Sequence, residues 1–409
     1  MKVTRHNGLL QDISVTDRAF LDWPFFDVDQ RRLADRLGDW IAANSDLLSR
    51  HPDDDETIDA HCRELVRQLG EGGLLKFCVA KQYGGSSEFA VRNLCLCRET
   101  LSYSSGLADF AFAMQGLGSG PISFFANADL KKHYLPNVAA GKSIAAFAIS
   151  EADAGSDVGA IKTTAIREGD SYILDGTKTW ISNAGIADHY VVFARTGDSP
   201  GTRGLSAFVM DADTPGLTVS ERIAVSAPHP LGSLQFDACR VPAANMIAGP
   251  GDGFRVAMGT LDVFRSTVGA AAIGFAKRAF DEAVLRSEER KAFDQKLSDF
   301  QITQAKIADM AVSIDAATLL IYRAAWVKDH NPEGRVSREA AMAKLFATEE
   351  AQKVVDQAVQ IFGGLGVVRD NVVERLYREV RSLRIYEGTS EIQKLVIANE
   401  VLKSSRDAR

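Results

Sequence analysis

Residues 383–393 read LRIYEGTSEIQ, and the rest of the chain can be understood outward from this stretch. Glu387 stands between an apolar-leaning segment and a turn of small residues. Thr389 and Ser390 are favoured N-cap residues, and the apolar positions beyond them predict a helix. A carboxylate held at such a junction is partly desolvated and fixed in direction, as a general base requires. A surface carboxylate at a helix start would give the same local pattern, so other segments have to distinguish the two.

The composition describes a globular chain of several packed units. Its 409 residues exceed one ordinary core, and 46% are hydrophobic and 25% charged. The net charge of −7 offers no basic surface, so we expect neither a nucleic-acid partner nor an anionic membrane partner. The sequence contains no stretch of about 18 apolar residues, so we expect no membrane span. The N-terminus lacks the apolar run of a secretory signal, and the five cysteines lack metal-binding spacing. We therefore predict a cytoplasmic protein with reduced thiols and no metal.

The hydrophobic pattern changes twice along the chain. Helical spacing dominates up to about residue 143, and short β-branched or alternating segments follow between 144 and 250. Asp175-Gly176 and Pro215-Gly216 are turn signals within this β region. Long amphipathic runs cover 254–290, 301–330, 337–362 and 371–379, which predicts a helical bundle. We predict a multidomain α+β fold with a helical domain (1–143), a middle antiparallel β barrel or sandwich (144–250) and a C-terminal four-helix bundle (251–409). This order argues against a doubly wound nucleotide fold.

Two apparent nucleotide motifs fail on their spacing. Gly141-Lys142-Ser143 would end a phosphate loop, but Pro136 occupies the position of the required glycine. The segment 116–120 (GLGSG) has neither the spacing nor the preceding strand of a dinucleotide fingerprint. The seven histidines form no metal or catalytic cluster in the sequence, so a Ser/His/Asp hydrolase would need an assembly that the sequence does not show.

Five segments, in order, resemble the signatures of the acyl-CoA dehydrogenase family of flavoproteins. They are 147–157 (FAISEADAGSD), 178–184 (KTWISNA), 289–293 (ERKAF), 360–366 (QIFGGLG) and 386–393 (YEGTSEIQ). The resemblance runs from about residue 25 to the C-terminus. It agrees with the α–β–α order derived from the hydrophobic pattern.

The resemblance implies a deep FAD site between the β domain and the C-terminal helices. Ile149 and Ser150 would face the flavin pyrimidine, Trp180 would cover the ring, and the Ser182 hydroxyl would reach the N5 edge. Arg290 would pair with the pyrophosphate, which suits a guanidinium. The other flavin-site residues implied are Phe147, Ser156, Ile181, Phe293, Thr389 and Glu391, with Gln360, Gly363 and Gly364 approaching the adenosine end from a second subunit. In the family that contact crosses a dimer interface, and two dimers form a homotetramer.

The activity implied is α,β-dehydrogenation of an acyl-CoA. Glu387 would take the α-proton while a hydride leaves the β-carbon for flavin N5. The thioester oxygen needs donors where charge develops, and the family uses the backbone N–H of this Glu and a ribityl hydroxyl. Electrons would pass to an electron-transfer flavoprotein. The substrate-site residues implied are Ser156, Asp262 and Arg265 for the CoA arm, Tyr386 and Gly388 beside the base, and Asp109 in the far acyl pocket.

Three departures from the family pattern favour a specialised subgroup. Asp294 replaces a usual glycine, so we expect that turn to differ. Asn399 replaces a usual arginine, and the loop 223–232 (IAVSAPHPLG) lacks its usual arginine and contains two prolines. A carrier-protein thioester therefore remains an alternative to CoA.

The role of Asp109 is the main question that the sequence leaves open, because the residues around it are otherwise apolar. Burying an unpaired carboxylate costs several kcal/mol, so Asp109 would disfavour a plain fatty chain. It could bind a polar or cyclic acyl group, act as a second base on a ring, face solvent, or pair with a local arginine. No arginine stands beside it in the sequence, which argues against the dicarboxylyl branch of the family.

Two other function classes remain open. The fold and flavin could serve an oxidase, an elimination or a monooxygenase, although the retained Glu387 argues against this. A helical scaffold without activity is the third possibility, and a colourless purified protein would favour it.

Overall fold

The computed structural model describes residues 18–86, 89–197 and 199–407, and its elements run from helices to a sheet and back to helices. The N-terminal helices are α1 (Val28–Ala43), α2 (Ser45–Leu48), α3 (Asp55–Glu71), α4 (Val91–Ser104), α5 (Gly106–Phe125) and α6 (Ala128–Ala139). Helix α5 is buried along almost its whole length. Its small residues allow this, since a Cβ on Gly118 would lie 2.7 Å from Ala145 on the sheet.

One eight-stranded sheet follows. Its strands are β1 (Ala145–Ala148), β2 (Thr164–Glu168), β3 (Ser171–Ser182), β4 (His189–Arg195), β5 (Leu205–Asp211), β6 (Leu217–Arg222), β7 (Leu231–Pro242) and β8 (Met246–Ile247). The order is β6-β7-β3-β2-β4-β5-β8, with β1 beside β4. Most pairs are antiparallel, but β1 and β2 each pair with β4 in parallel. The expectation of antiparallel hairpins throughout is therefore wrong at these two places.

The turn predicted at Asp175-Gly176 is also wrong. These residues lie inside β3, at an irregularity in its pairing with β7. Gly176 has a φ of 144°, and the Asp175 carboxylate accepts a hydrogen bond from the Ala238 amide at 2.8 Å. The Asp-Gly pair thus serves a bulge, which turn propensity alone does not distinguish from a hairpin.

The C-terminal half contains α7 (Gly253–Glu289), a hairpin of β9 (Lys291–Ala292) and β10 (Gln295–Lys296), and then α8 (Gln301–His330), α9 (Ser337–Phe362), α10 (Val372–Ser382) and α11 (Ser390–Asp407). Helices α7, α8 and α9 pack on one another, and α10 and α11 pack on α9. A Cβ on Gly274 of α7 would collide with α4, so this glycine allows the two helices to pack closely. The predicted fold class is confirmed, with five helices in the C-terminal unit.

Within the described residues, α7 and α8 are long and apolar enough to cross a membrane by length and composition alone, which the core helices of a globular protein can also be. In α7 the relevant window is 89% buried, whereas in α8 it is 44% buried. Burial of this extent in α7 is what a central core helix shows. The exposed apolar residues of α8, including Ile302, Val312 and Leu319, leave a face that the described chain does not cover.

The hairpin after α7 turns through Phe293 and Asp294, whose φ values are 49° and 62°. Two left-handed residues between two antiparallel strands match a two-residue type I′ turn. Aspartate tolerates this region better than most residues, so the turn forms without the family's usual glycine.

Asp294→Val is expected to lower the free energy of unfolding by about 1–2 kcal/mol, because a β-branched residue is strained at positive φ. Asp294→Gly is expected to preserve stability or raise it slightly. Urea unfolding of the FAD-loaded protein measures both, with Lys291→Val on the adjoining strand as the control. Equal stability of the Val and Gly variants would show that the turn does not have this conformation.

Candidate active site

Glu387 lies in the turn between α10 and α11 in a left-handed conformation. Its φ is 54° and that of Gly388 is 92°. For a glutamate this conformation costs about 1–2 kcal/mol, so neighbouring groups must hold it. The Gln393 side-chain amide donates to the carbonyl oxygens of Glu387 and Gly388 at 3.3 and 2.9 Å. The Lys344 ammonium donates to the Gly388 carbonyl at 2.8 Å.

Both ends of this turn are tied to α9. Arg384 pairs with the Glu349 carboxylate at 2.6 Å, and the Ser390 hydroxyl donates to the same carboxylate. A Cβ on Gly388 would lie 2.5 Å from the Gln393 amide nitrogen. Two features therefore favour glycine at position 388. They are its positive φ and the space that the Gln393 side chain occupies beside it.

The environment of the Glu387 carboxylate suits a base. Its Oε2 atom is buried and has no hydrogen-bond partner among the described residues. Desolvation raises the pKa of Glu387, while the charges of Arg98, Lys344 and Arg265 act in the opposite direction. The carboxylate is thus more basic than in water and still surrounded by cations that stabilise its charge.

Lys344 was not identified from the sequence. It is fully buried, and burial lowers its pKa to about 8 although Glu387 acts to raise it. Its neighbours on the same face of α9, Ala340, Ala343 and Ala347, are also fully buried. A lone lysine on a small-residue helix face was the signal that could have indicated it.

The predicted CoA-arm residues Asp262 and Arg265 lie on α7, and the charge of Arg265 acts to lower the pKa of Glu387. They are both buried and 3.3 Å apart, and the Asp262 carboxylate also accepts hydrogen bonds from Ser337 at 2.9 Å and Arg335 at 3.3 Å. The Arg335 side chain is 73% exposed. This polar cluster therefore reaches the protein surface at Arg335. The third predicted residue, Ser156, is exposed in the loop after β1.

Asp109 is buried and paired with an arginine, which corrects one inference from the sequence. Arg98 on α4 donates to both Asp109 carboxylate oxygens, from Nε at 2.9 Å and from Nη2 at 2.8 Å. The two residues are eleven positions apart and on different helices, so adjacency in the sequence did not reveal the pair. The absence of a neighbouring arginine consequently carries no evidence against any substrate class. A carboxylate committed to two such bonds is also a poor second base.

The ends of β1 and β3 bring together residues predicted to face a flavin. The Thr179 amide donates to the Ser150 carbonyl at 3.0 Å. Trp180 has a φ of 59°, lies at an irregularity in the β3–β7 pairing, and is 58% exposed. A strained, uncovered indole is what a residue covering a flat ligand requires. The Ile181 side chain is buried in the core, so only its backbone can face such a ligand.

Side chains at the same edge of the sheet also remain free to bind. The hydroxyls of Ser150 and Ser182 have no hydrogen-bond partner in the part of the chain that the structure describes. Phe147 is half-buried with its ring centroid 4.9 Å from that of Phe193. This edge therefore combines an aromatic wall with unpaired donors.

A buried ion pair holds the chain in place at this edge. The sequence did not indicate this pair. The Lys178 ammonium donates to Glu151 Oε1 at 2.8 Å and to the Ile149 carbonyl at 3.0 Å. Glu151 also accepts hydrogen bonds from the amides of Lys162 and Thr163 at 2.7 and 3.0 Å. Burial lowers the pKa of Lys178 to about 8, whereas the pKa of Glu151 stays below its usual value because Lys178 and these donors outweigh burial.

The other predicted flavin residues lie at three further places. They are Thr389 and Glu391 at the start of α11, Arg290 and Phe293 at the hairpin after α7, and Gln360, Gly363 and Gly364 at the end of α9. Phe293 is 91% exposed, and Gly363 and Gly364 have open space where a Cβ would stand. Among the described residues, no hydrogen bond or ion pair joins the hairpin or the end of α9 to the β1–β3 edge.

The loop 223–230 links the β3 edge to the helix before Glu387. The Asn183 amide donates to the Pro230 carbonyl at 2.9 Å. His229 stacks on Phe110 with centroids 4.5 Å apart, and its Nε2 is 3.2 Å from a Glu379 carboxylate oxygen on α10. This unusual loop thus packs against α5, which carries Asp109, and against α10, which precedes Glu387.

Comparison with known proteins identifies the family. The family descriptions "Acyl-CoA dehydrogenase, N-terminal domain", "middle domain" and "C-terminal domain" match residues 27–142, 146–239 and 251–402. The short-chain specific acyl-CoA dehydrogenase of Homo sapiens mitochondria is 41% identical over 347 residues, covering 83% of each chain. The chain belongs to the acyl-CoA dehydrogenase family.

Solved acyl-CoA dehydrogenase structures share the fold. Butyryl-CoA dehydrogenase from Megasphaera elsdenii is 32% identical with a TM-score of 0.84, covering 92% of this chain and 99% of the other. An acyl-CoA dehydrogenase from Bacillus anthracis complexed with FAD is 29% identical with a TM-score of 0.85, covering 94% and 68%. The cofactor of the present chain, as a member of this family, is FAD. The exposed Trp180 and the unpaired serine hydroxyls at the β1–β3 edge fit a flavin ring.

The pH dependence of this acyl-CoA dehydrogenase is expected to report the environment of Glu387. Only the carboxylate form acts as a base, so kcat/KM falls as the pH falls through a pKa that desolvation has raised. Lys344→Met removes a cation that lowers this pKa, so the acid limb is expected to move to higher pH. With its pKa near 8, Lys344 is charged over that limb.

The measurement is kcat/KM against pH for the FAD-loaded wild type and the Lys344→Met variant. Lys353→Met is the control, because this lysine lies on the same helix with a 67% exposed side chain. An acid limb that stays in place or moves to lower pH in Lys344→Met would contradict the assignment.

Proposed function

We propose that this chain catalyses the FAD-dependent α,β-dehydrogenation of an acyl-CoA to the 2-enoyl-CoA, with Glu387 as the base. The observation that carries this proposal is the Glu387 carboxylate itself. It is held in a left-handed turn by Lys344 and Gln393, and its Oε2 is buried without a partner among the described residues. Such geometry leaves one unshared carboxylate oxygen to take a proton from carbon.

The residues around the base have distinct roles in this reaction. Glu387 Oε2 takes the α-proton, and FAD when bound supplies the acceptor for the β-hydride. The Glu387 backbone N–H has no partner among the described residues and can donate to the thioester oxygen, where charge develops. Gly388 leaves space beside that oxygen. Arg98, Lys344 and Arg265 stabilise the carboxylate before it is protonated.

The CoA arm is proposed to leave the site along the polar cluster of Asp262 and Arg265. This cluster reaches the surface at Arg335. An arginine at the mouth of the site suits the phosphate groups of CoA. Ser156, exposed in the loop after β1, is proposed to contact the same arm.

A homotetramer would complete the flavin site. The end of α9, with Gln360, Gly363 and Gly364, is open and exposed, and we propose that it meets the adenosine end of FAD from a partner subunit. Exposed apolar residues on α8, with Ile302 76% and Val312 69% exposed, offer a second contact. The mass in light scattering tests this assembly.

We further propose that reduced FAD passes its electrons to an electron-transfer flavoprotein, and that the protein acts in the cytoplasm. Slow reoxidation in air would support such an acceptor, whereas rapid reoxidation would favour an oxidase. All five cysteines are free and buried, which is compatible with a reducing compartment. Cell fractionation tests the location.

The reaction is tested by mass spectrometry of the product. The FAD-loaded protein is incubated with butyryl-CoA and an artificial electron acceptor, and the acyl-CoA pool is analysed. A 2-enoyl-CoA two mass units lighter than the substrate is the expected product. An unchanged pool for butyryl-CoA and for every other acyl-CoA supplied would refute the proposed function.

A further inference from the structure

A cavity of about 510 Å³ lies apart from the candidate active site. It is bounded mainly by the connection between α2 and α3, the turn between α4 and α5, the loop 223–229 and helix α10. None of the predicted flavin or substrate residues lines it. Its volume is that of a small-molecule site, and the loop in which this chain departs from the family pattern forms one of its walls. The cavity is therefore a candidate for a ligand of its own.

The lining of this cavity has an apolar interior and a polar mouth. Arg369 and Asp370 line the cavity at the protein surface, with side chains 78% and 63% exposed. Five helices each contribute one apolar side chain that is at most 7% exposed, and these are Leu48, Ile58, Leu107, Phe275 and Leu376. A ligand that fills the cavity therefore needs an apolar body.

Arg375 of α10 lines the same cavity and is half-buried. Its Nη1 donates to the Asp370 backbone carbonyl, and its other nitrogen atoms have no hydrogen-bond partner among the described residues. Burial lowers the pKa of Arg375, and the charge of Arg278, which lines the same cavity, acts in the same direction. A guanidinium that has lost part of its hydration and has no carboxylate partner is a ready site for an anion.

The other half-buried charges of the lining already have partners within the chain. The contacts are Arg378–Glu374, Arg278–Glu282 and His229–Glu379, with N–O distances of 2.7, 2.7 and 3.2 Å. Arg375 thus leaves one positive charge to be matched by a ligand. A single carboxylate matches it, whereas the second charge of a phosphate would have no such partner and would be repelled by Glu379 at the same cavity.

We propose that this cavity binds a monocarboxylate with an alkyl chain, such as a medium-chain fatty acid. Its carboxylate pairs with Arg375, because a planar guanidinium can donate to both carboxylate oxygens at once. Its alkyl chain lies against the apolar interior that includes Leu107 and Phe275. Since this cavity is separate from the Glu387 site, the inference does not rest on the proposed dehydrogenation.

The test is isothermal titration calorimetry of the FAD-loaded protein with octanoate, octan-1-ol, acetate and inorganic phosphate. Octanoate is expected to bind at least about tenfold more tightly than each of the others, because it alone has both the charge and the apolar chain. Arg375→Met is expected to weaken octanoate binding by about tenfold or more, the size of a hydrogen bond between charged groups. Arg375→Lys is expected to retain part of the affinity, since it keeps the charge and loses the planar fork.

Two controls locate the site. Arg381→Met removes an exposed arginine of α10 that does not line the cavity, and it is expected to bind octanoate as the wild type does. The Glu387→Gln variant saturated with butyryl-CoA is also expected to bind octanoate unchanged, because the acyl site is then occupied. The FAD content of each variant, read from its absorbance, reports whether it is folded.

Three results would overturn this inference. They are octanoate binding that survives in folded Arg375→Met, octan-1-ol or phosphate binding as tightly as octanoate, and displacement of octanoate by butyryl-CoA. Each of them leaves the proposed function intact, because none concerns the oxidation of an acyl-CoA. Conversely, a protein that oxidises no acyl-CoA but binds octanoate through Arg375 would refute the proposed function alone.

Discussion

Glu387→Gln is expected to lower kcat for acyl-CoA oxidation by about 10²–10⁴-fold, the usual contribution of a positioned general base. The amide is nearly the same size and keeps the turn held by Lys344 and Gln393. It cannot accept the α-proton, so the reaction loses its base without losing its architecture. Stopped-flow reduction of the flavin by butyryl-CoA measures this rate directly.

Two controls separate a lost base from a damaged site. The FAD content of Glu387→Gln, read from its absorbance, is expected to equal that of the wild type. Glu400→Gln, on α11 and away from the turn, is expected to react at the wild-type rate. If Glu387→Gln retained more than about a tenth of the wild-type rate with full FAD, another residue would have to take the α-proton.

Lys178→Met is expected to lower the free energy of unfolding by about 3–5 kcal/mol, because it leaves Glu151 buried without its cation. The change also removes the donor to the Ile149 carbonyl, so the chain after β1 loses the bond that fixes it at the flavin edge. Weaker FAD binding is the expected second effect. Urea unfolding and fluorescence titration of the apoprotein with FAD measure the two effects separately.

The chain offers a matched control for this pair. Lys162 and Asp153 form an ion pair 3.0 Å apart in the same region, with side chains 75% and 76% exposed. Lys162→Met is expected to change the free energy of unfolding by less than about 1 kcal/mol, since exposed pairs contribute little. Similar losses in the two variants would show that burial does not give the Lys178–Glu151 pair its importance.

Much of the fold could be read from the sequence because its signals are periodic and local. The bounds predicted for α8 and α9 agree with the structure, since long amphipathic runs ended by polar or glycine residues leave little choice. The sheet was harder. Asp175-Gly176 has turn chemistry but sits in a bulge, and only the pairing of β3 with β7 distinguishes the two.

The sequence could indicate only those candidate-site residues whose position within a motif is itself the signal. The family resemblance implies roles for Glu387 and Trp180 through the motifs that contain them. Both residues have an unusual positive φ in the structure. The sequence did not reveal the roles of Arg98, Lys344 and Lys178, because each contacts a residue on another element of the fold. A charge inside an apolar or small-residue run is their common signal, although such a signal does not say which partner the charge meets.

The most direct test of the account is an anaerobic absorbance titration of the FAD-loaded protein with a short acyl-CoA. We expect the flavin band to bleach in wild type with about one acyl-CoA oxidised per FAD, and to persist in Glu387→Gln over the same time. A wild-type flavin that no acyl-CoA reduces, or equal bleaching in the two proteins, would contradict the proposed function.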